Sequence, residues 1–141
     1  MDDLKGKLRA LAQGKGNPPP IMKTLGMELV DAGDGKASMR IQVGERFHNP
    51  MGTVHGGVMT DLADATMGIA VMTTLAEGES FTTLELKMNF IRPVIEDELT
   101  SEAKVVHRGK TIALVESVLM NREGKEVARG LATQMILHGS R

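Results

Sequence analysis

Gly57-Val58-Met59-Thr60-Asp61-Leu62-Ala63-Asp64-Ala65-Thr66-Met67-Gly68-Ile69-Ala70-Val71-Met72-Thr73-Thr74-Leu75 is rich in Ala, Met and Leu and lacks strand alternation, so it reads as one long helix. Everything downstream reads differently. Residues 82–92, 98–107, 111–121 and 125–137 are strand-like runs, broken by Pro93, by Arg108-Gly109-Lys110 and by Asn121-Arg122-Glu123-Gly124. In the first run Leu84, Leu86, Met88 and Phe90 alternate with Glu85, Lys87 and Asn89, which predicts that one sheet face is buried. Short turns make the later strands antiparallel, and a lone helix flanked by strands has to cover their apolar face. The expected architecture is α+β: a long curved antiparallel sheet wrapped around one central helix.

Upstream of the helix, residues 27–32 and 36–44 are two further strand candidates separated by the turn signal Gly33-Asp34-Gly35. Leu4, Leu8 and Leu11 recur at helical spacing, which predicts a short amphipathic helix over residues 3–13. Gly14-Lys15-Gly16-Asn17-Pro18-Pro19-Pro20 cannot continue it and reads as a linker. The expected division is therefore residues 1–20 as N-terminal helix and Pro/Gly linker, and 21–141 as one folded domain.

A chain of 141 residues can bury a core without metal or disulfide staples. The absence of cysteine excludes a thiolate nucleophile, a disulfide framework and any Cys-ligated zinc or iron–sulfur site. A formal charge of −1 with both signs interspersed provides no broad basic surface for nucleic acid, and without Trp or Tyr the usual base-stacking platforms are missing. The charge-free run Ala65 to Ala76 falls far short of the roughly 20 residues that a spanning helix needs. The start, Met1-Asp2-Asp3-Leu4-Lys5, is acidic where a signal peptide would be basic. The expectation is a soluble, cytoplasmic protein with neither nucleic acid nor membrane as partner.

The chemistry concentrates at the helix and its entry, Asn49-Pro50-Met51-Gly52-Thr53-Val54-His55-Gly56-Gly57. A Gly-Gly entry exposes backbone N–H groups at the positive end of the helix dipole. Gly57, Asp61, Asp64 and Gly68 fall in one stripe roughly 60° wide, and apolar residues hold much of the remainder, which predicts a buried helix and an Asp64 that is bonded, paired or shifted in pKa. Asp61, in the early turns, suits the helix dipole. Each candidate also has a structural role open to it: Asp64 as a packing carboxylate, His55 as a helix cap, His48 and Asn49 as turn formers before Pro50.

Asp64 lies eight residues beyond Gly56, or about 12 Å along the axis at 1.5 Å per residue. The two cannot act on one carbonyl from a single helix. An antiparallel pair of helices in a two-fold dimer would set each Asp64 near the partner's helix start, so the expected unit is at least a homodimer.

The run from Asn49 to Asp64, with His55-Gly56-Gly57 six residues after the Asn and an acid nine after the His, resembles the hotdog-fold acyl-CoA thioesterases of the phenylacetate-pathway, PaaI-like type. The likeness covers roughly residues 21–138. It implies hydrolysis of acyl-CoA to free acid and coenzyme A, without a further cofactor or a metal, by a homodimer that pairs into a homotetramer. By the same resemblance Asp64 is the catalytic nucleophile or general base, and the Gly56 N–H binds the thioester oxygen. Asn49 positions the thioester or the water, His55 supports the loop, and Thr83 supplies a hydroxyl that holds the water. Simple alternation, however, sets Thr83 on the face opposite Leu84. Arg108, Gly109, Lys110 and Thr111 fall where similar enzymes meet the coenzyme's phosphates, with Arg92 adding charge; a solvated basic turn is the alternative.

Three other functions compete. A hotdog hydratase or dehydratase would carry a signature such as His-Phe-Pro-Gly, which this chain lacks. A non-catalytic acyl-CoA binding module would have little use for Asp64. A metal hydrolase built on His48, His55, Asp61 and Asp64 would want a ligand cluster such as His-x-x-x-His, which is absent.

Overall fold

Alternation is cleanest in residues 36–43, where Ala37, Met39, Ile41 and Val43 are buried while Lys36, Arg40 and Gln42 face solvent. That pattern recurs along a six-stranded sheet in the computed structural model, which describes residues 2–139. The elements are α1 (Asp2–Ala12), α2 (Pro20–Leu25), β1 (Glu28–Gly33), β2 (Lys36–Val43), a 3-10 turn (Glu45–Phe47), α3 (Gly56–Met72), β3 (Glu79–Phe90), β4 (Asp97–Arg108), β5 (Ile112–Met120) and β6 (Glu126–His138). Met1, Ser140 and Arg141, at the ends of the two expected segments, lie outside the described residues.

Every strand pairing is antiparallel, in the order β1-β2-β4-β5-β6-β3. α3 lies across the inner face, chiefly over β2, β4 and β5. It buries Met59, Leu62, Ala63, Thr66, Met67, Ile69, Ala70 and Val71 there, so the α+β expectation and the single central helix hold. Leu62 and Met67 are fully inaccessible, each contributing roughly 1.5–3 kcal/mol of apolar burial. The Gly33-Asp34-Gly35 signal is a true hairpin turn, with Asp34 at φ 53° and Gly35 at φ 75°.

Two features depart from the sequence reading. Pro20 begins α2 instead of closing a linker, and Gly26, left-handed at φ 78°, ends it with its N–H on the Met22 carbonyl. β3 does not pair with its successor β4; it lies at the far edge of the sheet against β6 alone. Segment 91–96, with Pro93, carries the chain from that edge back to the middle of the sheet, and its Val94 carbonyl accepts the Val54 N–H at 2.7 Å. The connection is thereby fastened to the loop that enters α3.

β3 also breaks its own alternation. Its register against β6 shifts between Thr83, opposite Gln134, and Glu85, opposite Thr133, leaving Leu84 as a bulged extra residue. Leu84 is 55% exposed, so it is not part of the buried row to which alternation assigned it. Past the bulge, Leu86, Met88 and Phe90 lie opposite Ala132, Gly130 and Ala128 on the helix side. Before it, Phe81 and Thr83 lie opposite the buried Ile136 and Gln134 on that same side. The extra residue thus brings Thr83 round to the face of Met88 and Phe90.

Candidate active site

Asn49 organises the entry loop from within. Its Oδ1 accepts the N–H groups of Met51 (3.0 Å) and Thr53 (3.2 Å), and its Nδ2 donates to Thr53 Oγ1 at 2.9 Å. One amide hydrogen of Asn49 is left over. His48 bonds the Ile95 carbonyl through Nε2 at 2.8 Å, which ties the loop to segment 91–96 a second time. Asn49 and His48 thus act as turn formers, the structural role open to them in the sequence.

His55 is the N-cap of α3: its Nδ1 accepts the Gly57 N–H at 2.9 Å. That bond consumes one of the orphan donors of the helix start. The Gly56 N–H, by contrast, has no acceptor among the described residues and stands at the positive end of a 17-residue helix. Both glycines are closely approached by side chains. A Cβ on Gly56 would come within 2.9 Å of the Phe90 ring, and one on Gly57 would come within 2.9 Å of His55 Nδ1.

Further along α3, Asp61 and Asp64 face solvent, so the expectation that Asp64 is buried within the chain is corrected: the apolar residues cover the side toward the sheet, and the acids occupy the side left over. Although solvent reaches it, Asp64 has enough protein beside it that desolvation raises its pKa above the ordinary 3.8, and the neighbouring Asp61 carboxylate raises it further. Gly68, one turn after Asp64, approaches the Phe81 ring (3.5 Å from a Cβ placed on the glycine), while Phe90 meets Gly56. β3 therefore runs opposite in direction to α3. Asp64 is about 6 Å before Gly68 along the helix and Thr83 is about 6.6 Å beyond Phe81 along the strand, so both lie between the two contacts.

The β4–β5 hairpin lies at the other end of α3. Arg108 donates Nε–H to Thr74 Oγ1 (3.1 Å), Nη2–H to both carboxylate oxygens of Glu79 (2.8 and 3.0 Å), and Nη1–H to the Gly109 carbonyl. All three of its nitrogens are occupied. Gly109 has no room for a side chain, since a Cβ would lie 2.9 Å from His107 Nε2 and 3.0 Å from the Ile112 carbonyl. Lys110 and Thr111 are exposed. Arg92 is exposed just past Phe90, at the opposite end of β3, about 36 Å from its start at 3.3 Å per residue. One chain does not bring Arg92 and the hairpin together. Sequence reasoning missed Glu79, Thr74 and His138 around the hairpin, because only the β3–β6 register brings Glu79 opposite His138.

The sequence model of the thioesterase superfamily matches residues 51–128, more than half of the chain and the stretch that holds the loop, α3 and β3. The chain belongs to the thioesterase superfamily. This thioesterase is thus an enzyme that hydrolyses thioesters. It is 32% identical over 117 residues, 83% of each chain, to a Saccharolobus solfataricus protein named provisionally as an esterase. It is 31% identical to the Mus musculus protein named acyl-coenzyme A thioesterase 13, across 75% of this thioesterase and 76% of the relative. Its fold matches that of the E. coli PaaI protein from the phenylacetic acid degradation operon, with a TM-score of 0.83, 24% identity and 96% of each chain covered. Among the described residues of the thioesterase no helix is long and apolar enough to cross a membrane.

Proposed function

We propose that this thioesterase hydrolyses acyl-CoA at a site assembled from two copies of the chain, with the Gly56 N–H of one receiving the thioester oxygen and Asp64 of the other serving as base. The observation that carries this reading is the division of labour at the helix start: His55 takes the Gly57 N–H and leaves that of Gly56 unpaired. A donor held at a helix N-terminus stabilises the oxyanion that forms when a thioester carbonyl is attacked. The leftover amide hydrogen of Asn49 suits the same oxygen or the water.

In the proposed step Asp64 removes a proton from a water held by Thr83, the oxygen adds to the carbonyl carbon, and the C–S bond breaks as the oxyanion collapses. The thiolate takes the proton from Asp64, giving free acid and coenzyme A with atoms balanced and no cofactor beyond the coenzyme in the substrate. A carboxylate whose pKa is raised is a better base than an ordinary one. The acyl group would lie against Met88 and Phe90.

The second copy is supported by β3, a 12-residue edge strand with Leu84 and Phe90 about half exposed beside the acidic stripe of α3. Open edges of this length are covered in stable proteins. Two-fold pairing there sets the helices antiparallel and bridges the roughly 12 Å between Gly56 and Asp64. Pairing of dimers into a tetramer would have Val106, Leu114 and Leu131, each 40–50% exposed, to draw on. The mouse relative's name supports the acyl-CoA class of substrate.

The test is a panel of aromatic and aliphatic acyl-CoAs with wild type and Asp64→Asn. We expect turnover of at least one ester and a loss of about 10³-fold in kcat/KM in the variant. Turnover that survives the substitution would overturn the role of Asp64. A single turnover in ¹⁸O-water tests the route: label appearing in Asp64 would establish the anhydride and overturn the role of Asp64 as base.

A further inference from the structure

The Glu79 carboxylate binds more than Arg108. It accepts the Ala76 N–H at 2.7 Å, and His138 Nδ1 lies 3.8 Å away. Its side chain is 12% exposed and that of Arg108 24%, so this is a largely enclosed ion pair. The Ala76 N–H, and after it Arg108, hold the carboxyl below its usual range, so Glu79 stays ionised at neutral pH. Two neighbours of Glu79 each hold a hairpin carbonyl: Arg108 holds that of Gly109, and His138 Nε2–H donates to that of Lys110 at 2.9 Å. The Thr111 carbonyl is taken by the Ile136 N–H at 2.7 Å. Three successive carbonyls are thus tied down, while the N–H groups of Lys110 and Thr111 have no acceptor among the described residues.

We propose that Glu79 is a positioning residue for the coenzyme end of the substrate, acting through Arg108 to fix the 109–111 hairpin, and that Arg108 is part of this clamp and does not bind phosphate. The inference rests on the acyl-CoA reading above. With its nitrogens spent on Glu79, Thr74 and Gly109, Arg108 has no fork left to offer an anion. Lys110, exposed and unpaired among the described residues, carries the charge that meets the phosphates. The clamp spans three elements, the end of α3, the start of β3 and the β4–β5 hairpin, so it sets where that charge sits.

The direction of one Michaelis constant decides between a clamp and a ligand. Glu79→Gln keeps the size of the side chain and an acceptor for Ala76, and removes the charge that holds Arg108. The clamp predicts a KM for acyl-CoA raised about five- to tenfold with kcat within about twofold. It also predicts an unchanged KM for the same acyl group on N-acetylcysteamine, which lacks the phosphates. Arg108→Lys keeps the charge but loses the fork, and should show the same split. If Arg108 were a phosphate ligand restrained by Glu79, Glu79→Gln would free it and lower KM. A KM that falls, stays level, or rises equally for both substrates overturns the clamp. Wild-type enzyme with equal KM for both thioesters would overturn the coenzyme subsite itself, which keeps the two failures apart. Thermal melts of both variants confirm that folded protein is compared.

Discussion

At the start of α3 the polar groups are neutral, close in sequence and left partly open, whereas at its end they are charged, distant in sequence and closed upon one another. His55, Gly57, Asn49 and Thr53 satisfy each other within nine residues and leave the Gly56 N–H over. Glu79 and Arg108 are 29 residues apart, and every nitrogen of the guanidinium is engaged, with a single Nη1 hydrogen left over. A donor meant for a transient oxyanion has to be rigid and unpaired, and short-range bonds fix a loop without consuming every group. A charge meant to hold two elements together gains most when it is fully paired. Reactivity and fastening thus occupy opposite ends of one helix, about 25 Å apart at 1.5 Å per residue.

The sharpest way to break this contrast is at the open end. Gly56→Ala puts a methyl group against Phe90, a half-exposed ring that can move, so the fold should survive with a small change in Tm. Turnover should fall about 10²-fold, chiefly in kcat, because the oxyanion donor is displaced. Steady-state kinetics beside a melting curve measure both; a variant with wild-type kcat would remove Gly56 from the chemistry.

A second experiment asks whether the open end of one chain works with the acid of another. Asp64→Asn and Gly56→Ala proteins, each nearly inactive, are unfolded together in equal amounts and refolded. Random pairing makes half the dimers mixed, each with one intact site, so about a quarter of wild-type activity should return. If the site lies within one chain, mixing restores nothing.

The smallest effect concerns pH. Catalysis needs Asp64 ionised, so activity should rise with pH through a pKa above 3.8, the raised value being due first to desolvation and then to Asp61. Asp61→Asn removes the second cause only. The acid limb of kcat/KM should move to lower pH yet remain above the unperturbed value. An unmoved limb would mean that the two carboxylates do not sense each other in the assembled enzyme.

Much of this was legible in the chain. The helix, the six strands and the antiparallel turns followed from periodicity and turn residues, with boundaries within a few positions. The Gly-Gly entry and the spaced acid were legible because small residues and charges are conspicuous among apolar ones. The place of β3 was not, since pairing is set by how segment 91–96 crosses back, and no local preference encodes that crossing. α2 was missed although Pro at its start and Gly at its end signalled it. Arg108 read as a free cation because its partner is brought to it only by sheet register. The sidedness of Thr83 was misread for a plainer reason: Leu84 is apolar, and its chemistry gave no hint that it is the residue outside the count.

That extra residue behaves like a shift in a reading frame. Thr83 and Phe90 are seven positions apart, an odd number that ordinarily puts two side chains on opposite faces of a strand. Here they share one face. Deleting Leu84 would set Thr83 and Phe90 six positions apart, an even number, and leave a regular ladder with the same partners and both side chains still on the helix side, whereas deleting one residue from the regular stretch beyond it would turn part of the row outward. In this chain, then, the neighbourhood of Leu84 is where a one-residue change in the length of β3 is absorbed with the least disturbance, because the ladder on either side keeps its partners.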